Sequence, residues 1–475
     1  MSPLTNGSIT IVGNPLLKTF SIPNLKSVDK CGNIEITNTL LPNLNMFANA
    51  SGTLGGWGLT LVDNPEMTSV AGMKNIVATA RLTIDQHPKL TSLEGINIPA
   101  AMTDWVSITR NDLLTDITAV SNKLRSTGGL SINQHKVLKT ANFPSYEKGN
   151  LTCKDNGELT SLTLPNMKEA DAVDLNHNVK LVTINLNALE KVPNSFYLWG
   201  GYETTQALTS FDLPALKTCG RFVIENCPGI TNLDGFNNLE TVSGDFTISL
   251  GNIPGANAKL KTINGFNKLT GVKYSLFLES ASAAGYTGPL NAIKGFKSLK
   301  SVGAMLHIGG KNLTDISGFA KLESVGQDLR VVQTALTDLS GLAKLSSSGT
   351  NENRLIYITD NSKLTSLKGL SSITTVMGLF ITRNPELVDI DGLEKVKSLR
   401  WGITIGQNDK LASLAGLANV EGTTASISIT ENKVLKNFCG ITKLVKSAAI
   451  LNGYGVISNA YNPTQAQIIA GQCSQ

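Results

Sequence analysis

Charge is scarce in this chain. Only 16% of its 475 residues are Asp, Glu, Lys or Arg, and the net charge is +5. Spread over such a length with no Lys/Arg cluster, that surplus is too dilute for a nucleic-acid binder. Aromatic residues are also few, at 5%, so leucine, isoleucine and valine must carry the core. No hydrophobic run approaches the length of a membrane span, and no apolar stretch of signal-peptide type follows Met1. On the sequence alone the chain reads as cytosolic, or as the mature form of a secreted protein. No Cys-x-x-Cys pair or His-x-x-x-His spacing suggests a metal. Gly-x-Ser-x-Gly, P-loop and dinucleotide fingerprints are missing too, so neither a metal nor a cofactor is expected.

What the chain does have is a repeat. The pattern apolar-x-apolar-x-x-Asn recurs from Ile9 through Ile34, Leu59, Leu82, Val106, Leu130, Leu151, Val173, Phe196, Phe222, Phe246, Leu276, Leu306, Leu329, Ile356, Leu379 and Ile403 to Ile427. The steps are mostly 21 to 27 residues, with two of 30 near the middle. That period belongs to leucine-rich and related solenoids. In Leu379-Phe-Ile-Thr-Arg-Asn384 the alternation sends Leu379 and Ile381 inward and Phe380 and Thr382 outward. The following Asn recurs at Asn14, Asn64, Asn111, Asn156, Asn178, Asn361, Asn384, Asn408 and Asn432. Buried at a corner, such an Asn can bond backbone groups of neighbouring coils. His87 and His135 stand in the same column and read as ladder residues.

A second apolar segment closes on Gly, from Gly235 to Gly440, where a positive φ or close coil-to-coil contact is expected. Earlier coils often carry Pro there instead, as at Pro23, Pro42 and Pro214. A third apolar run completes the circuit. The expectation is an all-β, right-handed parallel β-solenoid, roughly three-sided, with about 18 coils and on the order of 85 Å long at one strand spacing per coil. Residues 1–475 read as a single solenoid, with Pro-cornered coils over 1–229, Gly-cornered coils over 230–436 and a C-terminal cap over 437–475. The small-residue insertion Ser280–Gly285 is expected to form a surface loop.

The units Leu82-Thr-Ile-Asp-Gln-His-Pro-Lys-Leu90, Leu90-Thr-Ser-Leu93-Glu-Gly-Ile96, Ile230-Thr-Asn-Leu-Asp-Gly-Phe236 and Phe211-Asp-Leu-Pro-Ala-Leu-Lys-Thr-Cys219 resemble the receptor L-domain class of leucine-rich solenoids. That class includes the ligand-binding lobes of insulin- and EGF-receptor ectodomains and GPI-anchored fungal cell-wall proteins. The chain departs from the receptor lobes in its greater length and its lack of their Cys-rich modules. The resemblance implies fold more than function.

Cys153 is an inward strand residue and Cys227 occupies the corner column, so both read as packed thiols. Cys219 and Cys227 flank an extended strand, too far apart to bridge, and Cys31 lies eight coils before Cys219. Cys439 and Cys473 share the last stretch, where a cap is needed, and are expected to form a disulfide. That bond favours an oxidising compartment. Asn6, Asn49, Asn150 and Asn312 are glycosylation sequons. Outward carboxylates such as Asp174 and Glu225 are scattered, which argues against a sugar-cleaving pair and against an enzyme.

Outward aromatics single out a surface. Tyr197 and Trp199 share one strand, Tyr202 lies just beyond it, and Phe277, Tyr357 and Phe380 follow on later coils. On a rigid sheet such side chains can stack on sugar rings or anchor a protein. Trp57, Trp105 and Trp401 stand just before strands and read as corner packing. His307 reads as outward and alone. The Thr-rich outward columns are broken by charged residues, which makes an ice-binding face a weak reading.

The functional expectation is a secreted or cell-surface recognition or adhesion protein whose partner is a glycan or a protein. A structural subunit of a wall, coat or filament that self-associates end to end is the alternative, prompted by a first coil without an obvious cap.

Overall fold

A computed structural model describes residues 7–29, 31–203, 205–251, 258–279, 288–346, 355–421, 426–447 and 453–475. The expected loop at Ser280–Gly285 and the sequon at Asn6 lie outside them. The chain divides into two compact units, Met1–Gly220 and Arg221–Gln475. The division falls close to the change from Pro to Gly corners.

Each unit is a parallel β-solenoid of leucine-rich-repeat type. In the first, one strand per coil runs in register with the next: Ile9 pairs with Ile34, Ile34 with Leu59, and Leu59 with Leu82. The register continues through Val106, Leu130 and Leu151 to Val173 and Phe196. In the second it runs from Phe222 through Phe246, Leu276, Leu306, Leu329, Ile356, Leu379 and Ile403 to Ile427. Every one of these residues from Ile34 to Ile427 is at most 2% exposed. A further strand, Tyr454–Ile457, pairs with Ile427–Thr430 and extends the array into the expected cap. Helix Gln465–Ile469 follows, started by a capping box in which Thr464 and Gln467 satisfy each other's backbone N–H groups. Among the described residues no helix is long and apolar enough to cross a membrane.

The corner column is a hydrogen-bond ladder. Asn384 is typical: its Oδ1 accepts from the Asn361 backbone N–H at 3.1 Å, and its amide donates to Ile358 O at 2.9 Å and to Asn408 Oδ1 at 3.1 Å. The chain of contacts runs on through Asn408 and Asn432 to Asn459. In the first unit His87 takes a rung. It sits between the Asn64 amide, 3.2 Å from Nε2, and Asn111 Oδ1, 3.2 Å from Nδ1. An amide N–H can only donate and Oδ1 can only accept, so Nε2 carries the lone pair and Nδ1 the proton. His135 is likewise fully buried.

The residue before each rung turns the backbone through the left-handed region, with Asp360 at φ 61° and Arg383 at φ 55°. The Gly corners work differently. Gly369 and Gly440 are the middle residues of short 3₁₀ turns, Lys368–Leu370 and Cys439–Ile441. A Cβ there would lie 1.7 Å from Leu339 O and 1.8 Å from Leu414 O. Close coil contact, rather than positive φ, demands glycine at these two turns.

The ladder lapses between Cys227 and Thr334, where Gly251 and Gly310 bring no side chain to the corner, Gly310 being the register partner of Thr334. There the core fills with phenylalanine. Phe236, Phe266, Phe296 and Phe319 stack in sequence with centroids 5.2–5.7 Å apart.

Cys439 and Cys473 are joined, with Cα atoms 4.9 Å apart, while Cys31, Cys153, Cys219 and Cys227 are free and buried. Burial pushes the Cys153 and Cys219 thiols up to about 12, which leaves them inert in the folded protein. A thiol assay on the unreduced, denatured chain should therefore find four groups; six would disprove the link.

Two further outcomes follow from the ladder. Replacing Asn384 by Ala strands Ile358 O and the Asn361 N–H, at a cost of about 2–4 kcal/mol. Lys410→Ala, which breaks an exposed ion pair, should cost less than about 0.5 kcal/mol. Urea unfolding of the two variants should separate them clearly. The second outcome concerns pH. Burial pulls His87 down to about 4, whereas an unfolded histidine titrates near 6.5. The unfolded chain therefore takes up the proton first, so stability falls as pH drops from about 6.5 towards 4. His87 accounts for about 3 kcal/mol of that loss. His87→Asn, which restores the usual rung, should flatten this part of the stability–pH curve; an unchanged slope would refute the assignment.

Candidate strand-face site

Several charged side chains pair off at the corner edge. Lys89 meets Glu66 at 2.7 Å, Lys136 meets Asp112 at 2.6 Å, Lys410 meets Glu386 at 2.6 Å and Lys433 meets Asp409 at 2.7 Å. Each of these pairs links one coil to the next. Such exposed pairs add little stability, but they neutralise the rim and leave much of the strand face without charge.

Within the second unit, one outward column of that face runs Phe277, His307, Arg330, Tyr357, Phe380 and Thr404 in strict register. The first five make two stacks in one column, Phe277 on His307 and then Arg330, Tyr357 and Phe380. Phe277 and His307 are 4.2 Å apart at 11°, the Arg330 guanidinium carbon lies 4.8 Å from the Tyr357 centroid, and Tyr357 and Phe380 are 4.6 Å apart at 10°. His307 is therefore not alone. Each aromatic pair contributes about 0.5–1.5 kcal/mol and the Arg–Tyr contact a similar amount. Coil spacing imposes this geometry, because side chains one strand apart with flat ends stack face to face.

The stack has a consequence for binding. Tyr357 is covered by Arg330 on one side and Phe380 on the other, and the His307 side chain is only 12% exposed, so neither offers an open face. Stacking of a ligand ring on an exposed aromatic face is confined to the two ends of the column.

His307 and Glu279 sit beside the first rung, 3.9 Å apart and with each side chain 12% exposed. Burial, followed by the Arg330 charge, pulls His307 down to about 4, and burial pushes the Glu279 carboxyl up. His307 is neutral at pH 7. Arg330 donates to Asp328 Oδ2 at 2.7 Å.

In the first unit Tyr202 meets Trp199 edge-on at 5.0 Å and is 77% exposed. His177 lies 6.0 Å from Trp199 and donates through Nδ1 to Asp155 at 2.7 Å. Tyr197 is in register with Asp174, which pairs with Lys154. The expected aromatics thus form separate groups: Tyr197, Trp199 and Tyr202 in the first unit, and Phe277, Tyr357 and Phe380 in the second.

Trp57, Trp105 and Trp401 do not pack into corners. They are 67%, 41% and 55% exposed, and Arg81 lies over the Trp57 ring at 5.5 Å. Strand alternation does not govern residues ahead of a strand, so their direction was not readable from the pattern. Among the described residues no group of three or more His, Cys, Asp or Glu could hold a metal ion. Of the sequons, Asn49 is exposed, Asn312 is exposed with its amide donating to Gly288 O at 2.9 Å, and Asn150 accepts from the Ala172 N–H at 2.9 Å.

No known protein family matches the chain, and no curated protein matches it in sequence. Similar solved structures include TLR13 in complex with ssRNA13, 16% identical over 90% of this chain and 68% of that one, with a TM-score of 0.39. An internalin from Listeria monocytogenes is 17% identical over 74% of this chain and 88% of that one, with a TM-score of 0.32. A leucine-rich repeat protein from Bacteroides ovatus is 13% identical over 83% of this chain and 87% of that one, with a TM-score of 0.25. Likeness at this level says nothing about a ligand.

Proposed function

We propose that the chain is a non-enzymatic recognition protein of the cell surface or extracellular space, and that it binds a glycan or a protein on its strand face. The observation that carries the reading is the ordered aromatic column from Phe277 to Phe380, held on a hydrogen-bonded sheet whose backbone cannot shift one coil without its neighbours. Rigid preorganised aromatics bind with little entropic loss. The Cys439–Cys473 bond and the exposed sequon at Asn49 support an oxidising, secreted setting. The second aromatic group, around Trp199 and Tyr202, offers another contact area on the first unit.

The reading is tested by screening the full chain against a glycan array and a panel of cell-surface ectodomains. Strand-face variants are then compared on any hit. Tyr197→Ala with Trp199→Ala, or Tyr357→Ala with Phe380→Ala, should weaken binding at least tenfold, or about 1.4 kcal/mol, while circular dichroism stays unchanged. A hit bound equally well by both double variants would rule out the strand face.

A further inference from the structure

The column of planar side chains stops abruptly at Phe380. Its next register position is Thr404, followed by Ser428 and Gly455. One face of Phe380 stacks on Tyr357, and no other ring contacts Phe380 among the described residues. The opposite face therefore looks out over Thr404, one coil spacing away. On either side the floor is low, with Gly378 and Gly402 before the column and Thr382 and Gly406 after it. Trp401, 55% exposed, stands immediately before Gly402. It bounds the floor at the strand start, three residues or about 10 Å along the strand from Thr404.

We propose that this step is a binding shelf for one ring of an uncharged saccharide, which stacks on the free face of Phe380 and occupies the place of the missing sixth rung. The inference rests on the strand-face reading above and names its ligand. Three features select the occupant. Phe380 supplies the only aromatic face in the column that is open on this side, and it meets the apolar face of a sugar ring. The hydroxyls of Thr382, Thr404, Ser428 and Thr430 have no hydrogen-bond partner within the protein among the described residues, so they are free to serve a hydroxyl-rich ligand. The shelf itself carries no charged side chain: its outward strand positions from Gly378 onward are Gly, Phe, Thr and Ser. That composition gives nothing to a phosphate, a carboxylate or an ammonium group. A partner's aromatic side chain could match the ring face but would leave the hydroxyls unused.

The test uses the full chain and neutral oligosaccharides of glucose, mannose and N-acetylglucosamine, followed by saturation-transfer NMR and tryptophan fluorescence. At least one series should bind, with saturation centred on ring C–H protons and with affinity unchanged between low and high salt. Phe380→Ala should reduce affinity at least tenfold, and Phe380→Trp should preserve it. Thr404→Phe should block binding as fully, because it extends the column by one rung and fills the shelf while leaving Phe380 in place. Trp401→Phe should remove the fluorescence response. A glycoprotein assayed before and after enzymatic deglycosylation separates a protein-borne glycan from a free polymer, and binding to either supports the shelf.

Three results overturn the proposal. The first is that no saccharide in the panel binds. The second is that binding survives both Thr404→Phe and Phe380→Ala. The third is that a tyrosine-bearing peptide binds at Phe380 while saccharides do not. Saccharide binding lost only in Tyr197→Ala with Trp199→Ala would sink the shelf yet leave the strand-face reading intact. Saccharide binding indifferent to every strand-face variant would sink both.

Discussion

The fold depends on how each coil disposes of the polar backbone at its corner. A solenoid coil must turn sharply and then stack at strand spacing on the next, and each turn exposes N–H and C=O groups that the ladder of strands does not reach. Here a buried side chain from one coil accepts an N–H from the coil before and donates to a carbonyl of that coil, as Asn384 does with Asn361 and Ile358. The interaction fixes coil height and register together. Its demand is for a side chain that both donates and accepts at short range, and a neutral histidine with one protonated nitrogen meets it at His87. Where the column lapses, Phe266 and Phe296 thicken the apolar core, and stacked rings take over from hydrogen bonds in setting the spacing.

Fixed spacing also decides what the surface can do. Side chains one coil apart are held at stacking distance whether or not stacking serves a ligand. Opposite charges in such a column pair off, as Lys410 and Glu386 do, and flat groups stack, as Tyr357 and Phe380 do. A uniform column therefore tends to satisfy itself. The aromatic surface that looks inviting in the sequence is, for its inner rungs, already occupied by itself.

Much of the architecture is legible in the sequence, because strand alternation and the corner Asn are local signals. Leu379, Ile381 and Asn384 face as the pattern requires, and the corner glycines mark close approach. What the pattern could not reach lies in contacts between residues one coil apart or outside the strand. His307 reads as isolated because its partner, Phe277, lies 30 residues earlier in the chain. The strand Tyr454–Ile457 escapes the motif because Tyr454 begins it where Leu, Ile, Val or Phe stands in the other coils, although Asn459 still completes the ladder. Trp401 escapes because the alternation has not begun at its position. The missing ligand face at the inner rungs is a property of stacking angle, which no single strand encodes.

If uniform columns satisfy themselves, recognition on such a solenoid belongs at their discontinuities, and the column from Phe277 to Phe380 has two ends to choose between. They are not equivalent. Beyond Phe277 the next position is Thr247, but the neighbouring strand residue Glu279 brings a carboxyl that burial has pushed up, and it lies close to His307. A ligand stacking there would meet an ionisable pair that must be desolvated further, which costs free energy unless the ligand supplies a matching charge. Beyond Phe380 the neighbouring positions are Gly and Thr, and the nearest charged residue of that coil edge, Arg383, already pairs with Asp360. Desolvating that end loses only hydroxyl hydration, which a polyhydroxylated ring replaces. The same corner chemistry that sets the coil height thus leaves the Phe380 end as the face on which a neutral ring pays the smaller penalty.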